Sequence, residues 1–162
     1  MTRRLILPAV LLIGLAGCSS TTSDDDATSA ETTTATEQTV EQETCAGFYE
    51  GTGTPLAERA TNARAALSGG EVVDAATYTE INALEQRITE LGRDAPEEMV
   101  TLLEEVNAPF TEAVATVNES RTAEVPEGEE PAFPDLTQID VTASETAQGE
   151  LETVCADAGY GD

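Results

Sequence analysis

Cys18, Cys45 and Cys155 are the side chains of this 162-residue chain best suited to chemistry, because the usual partners of catalysis are missing. A thiol can be acylated, oxidised to a bridge, or act as a thiolate on a metal or an electrophile. The thiolate roles need a neighbour that lowers the pKa or shares the metal, and the sequence contains neither histidine nor lysine. The same gap removes His-based triads, lysine Schiff bases, Ser–Lys dyads and HExxH zinc sites. Carboxylates are plentiful, at 32, and paired acids can cleave glycosidic bonds. Glu97-Glu98 and Glu104-Glu105, however, fall on the surface of a helix, and acids this dense form close pairs by number alone. Gly51-x-Gly53 lacks the third glycine and the preceding strand of a phosphate-cradling loop. The composition therefore points away from an enzyme, and no cofactor or metal is expected.

Cys18 has a specific setting. Arg3 and Arg4 precede an apolar run, Leu5 to Leu15, broken only by Pro8 and Gly14 and shorter than the roughly 20 residues a membrane-spanning helix needs. Small residues follow, so that Leu15-Ala16-Gly17-Cys18 resembles the lipobox of bacterial lipoproteins. The resemblance implies a signal peptide over residues 1–17, cleavage before Cys18, and a thioether-linked diacylglycerol on the Cys18 sulfur. Two acyl chains meet the requirement for stable anchoring, which one chain alone does not. The expected location is the outer face of the cell membrane. In composition and layout the whole chain resembles the small exported helical lipoproteins of high-GC Gram-positive bacteria, a likeness that carries over no functional residue.

With Cys18 acylated, Cys45 and Cys155 have a single pairing available in an oxidising compartment. The bridge would close a loop of about 110 residues and contribute up to about 5 kcal/mol through the entropy of the unfolded chain. Between the lipid and the first of these cysteines, Ser19 to Thr44 is half serine and threonine, holds seven acids and has Val40 as its only large aliphatic residue. Such a stretch buries too little apolar surface to offset its ordering entropy, so residues 18–44 read as a lipidated cysteine followed by a disordered linker. As a flexible coil it would span roughly 28 Å. Asp24-Asp25-Asp26 lacks the spaced oxygens and turn glycine of a calcium loop and reads as solvated spacer. Thr32-Thr33-Thr34 has the composition of an O-glycosylated run. After removal of residues 1–17, five arginines face 32 acids, a formal charge of −27. That charge opposes nucleic acid and bare anionic lipid, so membrane contact must come from the lipid anchor.

Residues 45–162 are expected to form one helical domain. Thr54-Pro55 is a good helix start, and Leu56, Ala60, Ala63 and Leu67 line one face before Gly69-Gly70. A second helix starts at Asp74 or a neighbour and carries Tyr78, Ile81, Leu84, Ile88 and Leu91 to Gly92. A third begins at Asp94 or Ala95 with Pro96, Glu97 and Glu98, and runs through Met99, Leu103, Val106, Phe110, Val114 and Val117 to about Arg121. Pro109 inside it is expected to cause a kink. Glu124 to Pro134 reads as a loop, Asp135 to Asp140 as one short turn. A last helix starts at a Thr142-x-x-Glu145 capping box and buries Ala147, Leu151 and Val154. No stretch shows strand alternation. The economical arrangement is an all-α, antiparallel four-helix bundle, with the disulfide joining the segment before the first helix to the last. Tyr78 and Phe110 are core positions. Phe48 and Tyr49 should pack beside the disulfide, and Phe133 either plugs the bundle end or faces a partner.

Two function classes fit these features. One is a non-catalytic, tethered interaction module that docks an envelope protein through a groove or the 124–134 loop. The other is a binding protein for a small cationic or apolar ligand held between helices. An exposed apolar patch favours the first and a closed pocket of several hundred cubic ångströms the second. The lipid anchor is directly testable. Cys18→Ala should release the protein to the medium or leave it unprocessed, and a processed variant still bound to membrane would overturn the assignment.

Overall fold

The computed structural model describes residues 38–123 and 132–160, all within one unit, Thr36–Asp162. The expected signal peptide, Cys18, the expected linker as far as residue 37, and residues 124–131 of the segment read above as a loop lie outside the described residues. Five helices and no strand occur among those described: α1 Val40–Tyr49, α2 Leu56–Ser68, α3 Ala75–Gly92, α4 Glu97–Thr122 and α5 Thr142–Asp157. None is long and apolar enough to cross a membrane.

The apolar faces read from the periodicity form the core. Leu56, Ala60 and Leu67 of α2, Tyr78, Ile81, Leu84 and Ile88 of α3, and Ala147 and Leu151 of α5 are buried. On α4, Met99, Leu103, Val106, Phe110, Ala113 and Val117 are buried, and α3 and α5 pack against that helix. Leu136 and Ile139, in the turn before α5, join the same core. Phe133 is half-buried, with its ring 6.4 Å from that of Tyr78, while Arg121 lies over the other partner's ring at 5.0 Å from the Tyr78 centroid. Of the two expectations for Phe133, packing against the core is the one observed.

Helix α1 corrects the expected linker. Val40 to Thr44, assigned above to a coil ending at residue 44, are helical, and Thr44 and Cys45 are buried. Its start is a capping box: the Thr39 hydroxyl accepts from the Gln42 N–H at 3.3 Å, and the Gln42 side chain accepts from the Thr39 N–H at 3.2 Å. A ten-residue helix is marginal alone, so docking supplies the stability that composition could not.

Two helix starts also differ in detail. Pro55 rather than Thr54 occupies the cap of α2, and no side chain caps it. The box expected from Thr142 and Glu145 does not form; Asp140 Oδ1 instead accepts from the Thr142 N–H at 2.9 Å. The Asp74 start of α3 is as expected, with Oδ1 accepting from the Ala76 and Thr77 N–H groups. These bonds and that from the Thr77 hydroxyl hold the Asp74 carboxyl below its usual pKa. Helix α4 continues through the buried Pro109 to Thr122 as one element.

Two helix ends depend on glycine. Gly70 (φ 69°) closes α2 with Gly70 N–H donating to Leu67 O and Glu71 N–H to Ala66 O, a Schellman turn. Gly159 (φ 77°) repeats it after α5, where the Tyr160 N–H donates to Cys155 O at 3.0 Å. That turn lays Tyr160 against Tyr49, ring centroids 6.0 Å apart.

Cys45 and Cys155 are bridged, with Cα atoms 5.6 Å apart, so α1 is stapled to α5. Both residues are almost fully buried, at 0% and 1% exposure. The native protein should therefore keep its bridge in dithiothreitol until urea opens the fold. Cys155→Ser should lower stability by up to about 5 kcal/mol in urea titration; an unchanged midpoint would mean that α1 docks without the bridge.

Candidate functional site

The disulfide sits in an aromatic and hydrogen-bonded corner. Phe48 is fully buried and meets Tyr49 edge-on at 5.0 Å, as the sequence position beside Cys45 implies. Gln42 Nε2 donates to Ala158 O at 3.0 Å, satisfying a carbonyl at the end of α5, and the Tyr49 hydroxyl donates to Gln148 O at 3.2 Å. Burial, followed by the nearby Glu152 charge, pushes the Tyr49 hydroxyl pKa up, so it stays a neutral donor across the physiological range. This corner holds two elements together and presents no activated nucleophile.

A second polar centre, unforeseen above, joins α2 to α5. Arg64 is 4% exposed, and its Nη1 donates to Ser144 Oγ at 3.2 Å while Nη2 donates to Gln148 Oε1 at 2.7 Å. Ser144 Oγ in turn donates to Val106 O on α4 at 2.6 Å, and Gln148 Nε2 donates to Ala57 O at 3.3 Å. The Arg64 Nε is buried without a partner, and no carboxylate forms an ion pair with this guanidinium among the described residues. Desolvation lowers its pKa, partly opposed by the field of Glu145. A guanidinium remains charged under these conditions, so Arg64 is a buried cation solvated by neutral oxygens. Its signal in the sequence was position: it falls on the stripe of Ala60 and Leu67.

Asn107 occupies the same kind of place on α4, between Leu103 and Phe110. It is 6% exposed, and Nδ2 donates to Glu85 O at 3.1 Å and to Thr89 Oγ1 at 3.0 Å across to α3, while Oδ1 has no partner. Above it runs an open groove of about 750 Å³ with Ile88 and Gly92 on one side and Val100, Leu103, Ala108 and Ala115 on the other. Smaller open grooves lie between α2 and α3, about 460 Å³, and along α1, about 480 Å³.

Glu97, Glu98, Glu104 and Glu105 are all exposed on α4. Among the described residues no cluster of three or more acids or cysteines could hold a metal ion. Cys45 and Cys155 are brought together as a bridge, and Cys18 lies outside the described residues.

The cost of the Arg64 centre can be measured. Arg64→Ala should destabilise by about 3 kcal/mol, from the lost stem and the orphaned Gln148 oxygen. Arg64→Met keeps the stem volume without the charge and should recover most of that loss. Urea denaturation of both variants checks this, and equal losses would refute it. Compared with known protein families, curated proteins and solved structures, the chain matches none, and its function must be argued from its own residues.

Proposed function

We propose that the protein is a lipid-anchored, extracytoplasmic interaction module without catalytic activity, tethered through Cys18 by a disordered linker. Its helices α2 to α5 form an antiparallel bundle, with α1 strapped across by the disulfide. The lipobox-like Leu15-Ala16-Gly17-Cys18 supports the anchor. A buried disulfide between residues 110 apart supports an oxidising compartment. The missing histidine and lysine support a non-catalytic role.

The observation that carries the interaction reading over ligand storage is the form of the surface. The large grooves are open troughs between helices, with Glu85, Glu104 and Glu112 along the largest of them. An open, acid-lined trough accommodates a polypeptide, whereas small-ligand sites enclose most of their ligand. A net charge of −25 over the chain then favours a basic partner.

Crosslinking in intact cells, with the linker left in place, should capture an envelope protein, and its association with the purified chain should slow as salt rises. Capture of lipid alone, together with a small molecule retained by the purified protein, would replace this reading with a ligand-binding one.

A further inference from the structure

Oxidants that reach a protein act first on exposed sulfur. In this domain Cys45 and Cys155 are bridged, and Met99 is 1% exposed. Met1 and Cys18 are the remaining sulfurs of the chain; in the reading proposed above, the first leaves with the signal peptide and the second is acylated. Tryptophan and histidine are absent, which leaves three tyrosines as the oxidisable side chains of the folded domain.

The fold brings two of the three together. Tyr49, at the end of α1, and Tyr160, after α5, come from opposite ends of the domain's sequence. Their ring centroids are nevertheless 6.0 Å apart, with the planes inclined by 34°. Each is half-buried, so the pair is open to solvent. The turn at Gly159 aims the Tyr160 ring, and the bond from the Tyr49 hydroxyl to Gln148 O holds the other. Tyr78 is placed differently: it is 6% exposed, and its ring meets Phe133 and Arg121.

The surroundings also favour loss of a hydrogen from Tyr160. A phenol gives up an electron more easily when a base takes its proton at the same moment. Burial first, and then the approach and charge of the Glu50 carboxylate, raise the Tyr160 pKa. The phenol therefore stays protonated with a proton acceptor beside it.

We propose that Tyr49 and Tyr160 form an oxidation site at which hydrogen peroxide, acting through a haem peroxidase, joins the two rings as dityrosine. Each phenol loses one electron and one proton, that of Tyr160 passing to Glu50. The two phenoxyl radicals pair their electrons in a carbon–carbon bond between a Cε atom of each ring, ortho to the oxygen. Those two carbons then release their hydrogens as protons while the oxygens regain theirs, which restores both aromatic rings. Peroxide takes up two electrons and two protons and leaves as two waters, so the chain is lighter by two hydrogens. The product staples α1 to α5 a second time, through a bond that thiols do not cleave. A net charge of −25 keeps copies of the chain apart and favours coupling within one chain.

The test treats the full chain with hydrogen peroxide and a haem peroxidase. The expected product is a monomer lighter by two hydrogens, with dityrosine fluorescence. After disulfide reduction and proteolysis, the Tyr49 and Tyr160 peptides should remain linked, in a yield unchanged when the reaction is diluted. Tyr160→Phe, which keeps the ring and its packing, should abolish the product, and Tyr78→Phe should leave it intact. In urea with dithiothreitol the treated chain should stay a closed loop and migrate faster than the untreated one. Dimeric products, links through Tyr78, or a product that persists in Tyr160→Phe would each overturn the site. Recovery of Tyr49 and Tyr160 unmodified, from a reaction that couples free tyrosine completely, would do the same.

Discussion

Helix α4 buries residues 99, 103, 106, 110, 113 and 117 along one side, and both α3 and α5 pack against it. The intervals run four, three, four, three and four, an average of 3.6 that matches the helical period and keeps the stripe on one side of the helix over its length. Each neighbouring helix has its own stripe and must cover it somewhere. The α4 seam is the surface on which they meet, so the placement of the other helices follows from it. Met99, Leu103 and Phe110 are almost fully buried along it, and a truncation there would open a cavity between at least two elements.

Apolar stripes alone would allow one helix to slide past another by a turn. The polar residues set among them remove that freedom. Ser144 must meet Val106 O, Arg64 must meet Ser144 and Gln148, and Asn107 must meet Glu85 O, because each is buried and would be costly unpaired. Together they tie α2 to α5, α5 to α4, and α4 to α3. Among the buried side-chain atoms of the described residues, two stay unsatisfied, Arg64 Nε and Asn107 Oδ1.

Surface charge contributes little to holding the fold. The one ion pair among the described residues, Arg59 to Glu80 at 3.5 Å, is solvent-exposed and worth at most about 1 kcal/mol. The excess of acids repels itself and opposes compaction. Core burial and the buried bridge must offset that repulsion, and the acidic exterior is left free to discriminate among partners.

The sequence by itself determined the helical class, the faces of α2 to α5, and which two cysteines could pair. Those features are local or eliminative: a stripe at helical spacing, an Asp74 cap and a Gly69-Gly70 stop need no knowledge of the rest of the chain. Only the tertiary structure decided that Val40 to Thr44 are helical, because α1 gains its stability from Cys155, Ala158 and Gln148, over a hundred residues distant or nearly so. It alone decided that the Asp140 carboxylate, rather than the Thr142 hydroxyl, accepts from the first N–H of α5, a matter of which oxygen the entering turn points at that group. The candidate site was legible only as an irregularity. Arg64, Asn107 and Ser144 interrupt apolar stripes, but nothing in a stripe says which polar group across the core will answer the interruption. A hydrogen bond is directional and needs a partner within about 3 Å, so it is settled by how helices lie against one another.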